Sequence, residues 1–327
     1  MKALFVVAGS EGGAFEFRQV PVEDPAPGQV LVKVRASGLN RGVLMVMATL
    51  RGDPSEVNPV PAGVEFAGEI HTIGEDVKNL SVGDRVMGRG LASTAEYVTL
   101  DAGFLVPVPD GWSWEEAAAV PNVFITSHDA IVTNGRLQAG ESLMVTAGSS
   151  GIGTASIQIA RLLGAKPVLA TTRSPGSKGG ELRALGADIV VDTTQSDWPD
   201  AVLEATGGRG VDLIVDTVGA PLLAGNLQAL ALCGRMIGVG RTGGCVADLD
   251  LDLLASKRLS LIGVTFRTRT DQEDIACSTS FADDLMPAFN DGRIQPVLHS
   301  SFPWEDIEAA YESMTNDTHI GKIVVVL

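Results

Sequence analysis

Three cysteines, four histidines and two tyrosines are all that 327 residues carry of these types, and each shortage removes a class of chemistry. Cys233, Cys245 and Cys277 are odd in number and widely separated. Neither a disulfide framework nor a structural zinc cluster is expected from them, and a reducing cytoplasm is the expected compartment. His71, His128, His299 and His319 are scattered without pairing at metal-ligand spacing. Basic residues are scarce as well: 24 Lys and Arg stand against 40 Asp and Glu, a net charge of -16. Such a field repels phosphate backbones and anionic membrane surfaces, although a local basic pocket can still hold one phosphate. Neither nucleic acid nor membrane is an expected partner. No uncharged apolar run approaches the roughly 20 residues of a bilayer crossing. No basic n-region followed by an apolar stretch opens the sequence, so no targeting segment is expected.

What is present is apolar side chain, 45% of residues, enough for sizeable cores in about two domains. Up to about residue 120 the texture is short strands and turns: Lys2 to Val7, Gln29 to Ser37, Gly63 to Ile73, Arg85 to Gly88 and Ala95 to Thr99, punctuated by Pro-Ala-Pro-Gly at 25–28 and Gly83-Asp84. A helix is expected over Glu115 to Val120, with Trp112 and Trp114 covering the domain surface before it. From Asn122 apolar strands alternate with helices: Ser142 to Thr146, Pro167 to Thr172, Ile189 to Val191, Val211 to Asp216, Arg235 to Val239 and Leu259 to Val264. Six strands with crossovers predict an α/β, doubly wound parallel sheet. Ala155, Ile159, Leu162 and Leu163 form one apolar stripe at helical spacing, which should pack on that sheet. Beyond Phe266 the pattern predicts a helix near Phe281 to Asn290, another after Pro303 to Asp306, and a strand Lys322 to Leu327. So short a tail cannot easily build its own core and should return to the first domain. The expected division is 1–121, 122–266 and 267–327.

The most informative run is Leu143-Met144-Val145-Thr146-Ala147-Gly148-Ser149-Ser150-Gly151-Ile152-Gly153, where an apolar strand breaks into a small-residue turn and becomes helical. Such a turn lets backbone N–H groups approach a pyrophosphate at a helix N-terminus. Ser150 stands where the fingerprint has its second glycine, and its hydroxyl can donate to a phosphate. In NAD-binding sites a carboxylate at the end of the second strand holds the ribose 2′-OH. Here that end reads Thr172-Arg173-Ser174, with Lys178 following. A carboxylate would repel a 2′-phosphate, whereas a guanidinium, hydroxyl and ammonium accept one, so NADPH is favoured over NADH. The bland alternative is that Arg173 and Lys178 are solvated loop charges.

These segments, together with Ala36-Ser37-Gly38-Leu39-Asn40-Arg41, Pro61-Ala62-Gly63-Val64-Glu65-Phe66-Ala67-Gly68, Val82-Gly83-Asp84-Arg85-Val86, Leu185-Gly186-Ala187-Asp188 and Gly321-Lys322-Ile323-Val324, make nearly the whole chain resemble the medium-chain dehydrogenase/reductase superfamily. It is most similar to the zinc-independent quinone oxidoreductase branch with its zeta-crystallin-like proteins. The resemblance implies a six-stranded Rossmann domain beside a mostly β, GroES-like catalytic domain. It also implies that Thr126, then Gly238, Val239, Gly240 and Arg241, and then Thr265, Phe266 and Arg267 lie along the cofactor. Zinc alcohol dehydrogenases of the superfamily place a cysteine near Asn40 and a histidine where Val64 stands, so no metal is expected. Asn40 and Arg41 occupy a cleft-facing loop in related reductases. Asn40 is the expected donor to substrate or nicotinamide, against the plainer reading that it holds a turn.

Many relatives also carry a tyrosine shortly after this point, whereas here Met45 and Met47, with Leu50, suggest an adaptable apolar wall or plain core. Reduction of an activated C=C needs an acid for the enolate. A quinone gives a stabilised anion that water can protonate. The expected reaction is hydride transfer from NADPH to a quinone or similar electrophilic conjugated carbonyl, with an enoyl or enone reductase, or a noncatalytic NADPH-binding protein, as alternatives. His128 and Asp129 are adjacent on a helix, point different ways, and are assigned no catalysis. By resemblance the chain is expected to form a homodimer through Leu259 to Val264.

Overall fold

In the computed structural model, which describes residues 1–53 and 56–327, the chain divides into two units. One is Met1–Asn122 with Asp271–Leu327, the other Val123–Thr270. The first opens with strands β1 (Lys2–Val7), β2 (Ala14–Gln19) and β3 (Gln29–Gly38), then helix α1 (Arg41–Thr49). Strands β4 (Val60–Pro61), β5 (Glu65–Ile73), β6 (Arg85–Arg89), β7 (Tyr97–Asp101) and β8 (Leu105–Pro107) follow, and then helix α2 (Trp114–Ala118). Strand β3 is buried on both faces over most of its length: Val30, Leu31, Val32 and Val34 are buried, and Lys33 is its one exposed residue. Those valines meet Phe66, Ile70, Val86, Val98 and Leu100 in one core. Ser113 caps α2, its Oγ accepting from the Glu116 N–H while the Glu116 carboxylate accepts from the Ser113 N–H. Trp112 meets Phe289 edge-on, and the Arg85 guanidinium lies over Trp114.

Helix α3 (Pro121–His128) leads into the second unit. There β9 (Leu143–Val145), α4 (Gly151–Leu162), β10 (Val168–Thr172), α5 (Pro175–Ala184), β11 (Ile189–Asp192), α6 (Trp198–Ala205), β12 (Val211–Asp216), α7 (Leu223–Ala229), β13 (Leu230–Gly238), α8 (Leu251–Ser256) and β14 (Ser260–Gly263) alternate. The six strands form a sheet in the order β11-β10-β9-β12-β13-β14. All its pairings are parallel, which is the doubly wound arrangement that the sequence predicts. Its inner strands β9 and β10 are buried throughout and β12 everywhere but at Asp212, as expected of a parallel sheet covered on both faces. The α4 stripe is broader than expected. Ala155 and Ile159 are buried, but so is every residue from Gly153 to Ala160, while Leu162 and Leu163 are half-buried. A helix enclosed on more than one side has no single apolar stripe to read.

The chain then completes the first unit with α9 (Asp271–Asn290), β15 (Leu298–Pro303), α10 (Ile307–Thr315) and β16 (Lys322–Val326). Helix α9 starts ten residues before the segment that the apolar spacing marks. Its first turn holds Asp271, Glu273 and Asp274, which suit a helix N-terminus and carry no apolar signal. Strand β16 lies antiparallel to β3, Val324 opposite Gly38, and β3 antiparallel to β5, Ser37 opposite Phe66. These registers bring Asn40, Glu65 and Lys322 to one end of the sheet. Trp304, Ile307, Tyr311 and Met314 share a core with Leu4, Leu39 and Ile323. Among the described residues, no helix is long and apolar enough to cross a membrane.

Candidate functional site

In the second unit, β9 ends at Val145 and the chain turns sharply, with Ala147 in the left-handed region at φ 49°. The turn is held from below: Gly148 N–H donates to Thr171 O (2.7 Å) and Ala147 N–H to Thr171 Oγ1 (3.3 Å). Ser150 is the N-cap of α4, its Oγ accepting from Gly153 N–H at 3.0 Å. Its irregular place in the fingerprint is thus a helix cap, and its own O–H proton is left for another acceptor. Among the described residues, the N–H groups of Ser149, Gly151 and Ile152 have no acceptor within the chain. Three orphan donors at a helix start form an anion cradle. A Cβ at Gly153 would stand 2.5 Å from Ala147 O, so the turn requires glycine there.

Lys178 is buried on α5, and its Nζ donates to Ser149 Oγ at 3.2 Å. This overturns the solvated-loop alternative for Lys178. Arg173 and Ser174, at the end of β10, are exposed, and the Ser174 N–H takes Thr172 Oγ1 (3.2 Å). The carboxylate in register with Thr172 is Asp192 on β11. It is turned onto Thr194, whose N–H (2.9 Å) and hydroxyl (2.7 Å) hold it below the usual carboxylate range. The residues present fit a nicotinamide dinucleotide, and a basic group lies against the cradle.

Farther along the sheet edge a concavity of about 320 Å³ is lined by Asp216, Gly238, Gly240, Arg241, Cys245 and Gly263 among others. Val239 N–H and Gly240 N–H both donate to Asp216 O, at 2.8 and 3.1 Å. The Asp216 carboxylate is buried and accepts from Thr146 Oγ1 (2.8 Å), Val218 N–H (3.2 Å) and Gly219 N–H (3.0 Å). Burial pushes it above the ordinary range, against those bonds. It ties the start of the glycine-rich turn to the loop after β12. Thr126 is buried on α3, one residue before Ser127, whose Oγ donates to Ile152 O at 3.2 Å. Thr265 and Phe266 follow β14 half-buried and Arg267 is exposed. It is Arg269 that is committed, to Asp129 (2.7 Å) and over the Phe266 ring.

In the first unit, Asn40 ends the loop after β3 as the N-cap position of α1, a helix where the resemblance implies a loop. No residue of α1 is fully buried and Met45 is exposed, so Met45 is not core. The Asn40 carboxamide donates to Gly38 O (3.1 Å) and Glu65 Oε1 (2.8 Å), and it accepts from Asn122 Nδ2 (2.8 Å) and Lys322 Nζ (3.1 Å). An amide has two donors and two lone pairs, so its capacity is used up. Arg41 is paired with Asp317 (2.5 Å) and Met314 O (3.0 Å), which docks α1 on α10.

Behind Asn40 lies a charged pair that sequence reasoning missed: Glu65, fully buried, and Lys322, 2.7 Å from it. Lys322 also donates to Leu39 O. Glu65 Oε2 takes the backbone N–H of Asn122 (2.7 Å), one of the orphan donors of α3, whose Pro121 needs none. Burial raises the Tyr311 phenol, opposed by its bond with the Asn40 backbone and assisted by the charge of Glu65. The available signal was a lone charge inside an apolar run, in Val64-Glu65-Phe66 and in Lys322-Ile323-Val324, since such charges need a partner. A Cβ at Gly38 would stand 2.6 Å from both Glu65 Oε1 and Ala118 O. Gly38→Ala is expected to destabilise the fold by about 1–3 kcal/mol through overpacking; a denaturant midpoint equal to that of the parent protein would show that the node yields freely.

The donor set does not fit a catalytic zinc. Position 40 is a saturated amide and position 64 a valine. Among the described residues, no three His, Cys, Asp or Glu side chains gather where they can hold a metal ion.

The alcohol dehydrogenase GroES-like domain family matches residues 26–110, and the zinc-binding dehydrogenase family matches residues 151–283. The type I polyketide synthase of phenolphthiocerol synthesis from Mycobacterium marinum is 31% identical over 307 residues, 92% of this chain and 14% of that protein. The chain therefore spans about a seventh of the length of that curated relative. Among solved structures, the quinone oxidoreductase of Pseudomonas syringae pv. Tomato DC3000 is similar over 100% of both chains, with a TM-score of 0.87 and 26% identity. A native mycobacterial protein complexed with NADPH is similar over 100% of both chains, with a TM-score of 0.88 and 26% identity.

Proposed function

This chain belongs to the medium-chain dehydrogenase/reductase superfamily of oxidoreductases, and from that membership we propose an NADPH-dependent, zinc-independent reductase that passes hydride to a quinone or similarly electrophilic conjugated carbonyl. The observation that carries the reading is Lys178, buried beneath the turn with its ammonium on Ser149. The N–H groups of Ser149, Gly151 and Ile152 hold the pyrophosphate, while Arg173 and Lys178 neutralise a 2′-phosphate and the Ser174 hydroxyl donates to it. Gly238, Val239, Gly240 and Arg241, with Thr126, Thr265, Phe266 and Arg267, bound the rest of the cofactor. Once bound, the dihydronicotinamide supplies the hydride. Asn40 acts as a positioning residue, because its amide is already saturated. The edge strand β14, with Leu261 exposed, supports a homodimer.

A second reading, an enoyl reductase, is favoured by the similarity to a polyketide synthase over 92% of this chain. Steady-state assays with NADPH and a panel of quinones, enones and enoyl thioesters separate the two. Quinone turnover with NADPH, at least about tenfold better than with NADH, is the expected result, the value of one charge-assisted hydrogen bond. Turnover of enoyl thioesters alone would favour the second reading. NADPH binding without turnover of any acceptor would leave a cofactor-binding protein.

A further inference from the structure

We propose that Asn122 is the hydrogen-bond donor to the acceptor's carbonyl oxygen, the atom that becomes an enolate or phenolate oxyanion. This rests on the reading of the chain as a reductase of conjugated carbonyls. In the node around Glu65, the donors of Asn40 and Lys322 are committed. The Lys322 ammonium has three protons and three acceptors, Leu39 O, Glu65 Oε1 and Asn40 Oδ1. The two N–H bonds of Asn40 go to Gly38 O and Glu65 Oε1. Asn122 differs. Its backbone N–H takes Glu65 Oε2, its Oδ1 accepts from Arg89 Nε at 3.3 Å, and one amide N–H donates to Asn40 Oδ1. Among the described residues, the second amide N–H has no acceptor within the chain.

Asn122 belongs to the less buried part of the node. Glu65 and Lys322 are buried, whereas Asn40 and Asn122 are half-buried. Two partners, Arg89 on its oxygen and Asn40 on one N–H, set the orientation of the Asn122 amide, so its remaining N–H needs little reorganisation to meet an oxygen. A pre-oriented donor of this kind acts on charge that develops in the transition state, and losing one costs about 10²–10³ in turnover. Asn122 thus takes the donor role that a saturated Asn40 cannot fill.

The test uses Asn122→Ala, Asn122→Asp and Asn122→Ser in the full chain, with 4-nitrophenolate as a probe of the oxyanion site. Its absorbance is followed in the presence of NADP⁺. The parent protein is expected to bind the phenolate. Asn122→Ala and Asn122→Asp should weaken that binding at least about tenfold and lower kcat for quinones about a hundredfold, with NADPH affinity unchanged; the unfolding temperature falls as well, because Asn40 Oδ1 loses its Asn122 donor, so kcat is measured well below it. Asn122→Ser, which restores a donor, should recover part of both losses. Absence of phenolate binding to the parent, or kcat unchanged in both donor-less variants, overturns the inference. Equal losses across phenolates of different basicity would also overturn it, because they would reveal a structural role alone. A parent that binds phenolate but reduces no acceptor would instead sink the reductase reading and leave the oxyanion site standing.

Discussion

Replacing Lys322 by methionine is expected to destabilise the first unit by about 3–5 kcal/mol, because it strands a carboxylate that water cannot reach. Glu65 is fully buried and the Lys322 side chain is 6% exposed, so neither partner recovers its hydration when the other is lost. Asn40 Nδ2 and the Asn122 N–H would remain on Glu65, but two neutral donors do not replace a cation 2.7 Å away. The double variant Glu65→Gln/Lys322→Met removes both charges and keeps an acceptor oxygen for the Asn122 N–H, while the new NH2 requires the Asn40 amide to turn its oxygen towards it. It should regain a large part of the loss, since neutral isosteres of a buried pair are often tolerated. Thermal unfolding is the measurement, with a drop on the order of 10 °C for the single variant. Single and double variants losing stability equally would show that the pair contributes through packing and not through charge.

The second large effect concerns the cofactor. On the proposed NADPH reading, Arg173→Ala/Lys178→Ala removes two charge-assisted bonds worth about 1.5–3 kcal/mol each and should weaken NADPH binding by about 10²- to 10⁴-fold. NADH has no 2′-phosphate for those groups to meet, so its affinity should change by less than about threefold on the same energy scale. Fluorescence titration of both dinucleotides reads this difference directly. Equal weakening of NADPH and NADH would mean that Lys178 acts through Ser149 Oγ, which it already touches, by shaping the turn. The single variants then separate a buried ammonium from an exposed guanidinium.

Much of the second unit was legible in the amino-acid order, since its signals are local. Strand, small-residue turn and helix follow one another within 143–162, and a parallel sheet covered on both faces shows as apolar runs. Where burial came from several sides, periodicity failed, as for Gly153 to Ala160 in α4. Where a helix began in polar residues, as α9 does at Asp271, only its buried end could be seen. Ser150 shows the same limit at a single residue: the sequence marks it as an irregular fingerprint position, and the structure makes it the cap on Gly153 N–H.

The sequence by itself determined a doubly wound sheet, a glycine-rich turn at 147–153 and the basic end of β10, because each depends on residues close together in the chain. Only the tertiary structure decided what Asn40 can do. Its partners are Gly38, Glu65, Asn122 and Lys322, and three of these lie far along the chain. Whether an amide is a free donor depends on which oxygens surround it, and the registers of β3, β5 and β16 set those neighbours. The same registers pair Glu65 with Lys322 and leave Asn122 with one uncommitted N–H.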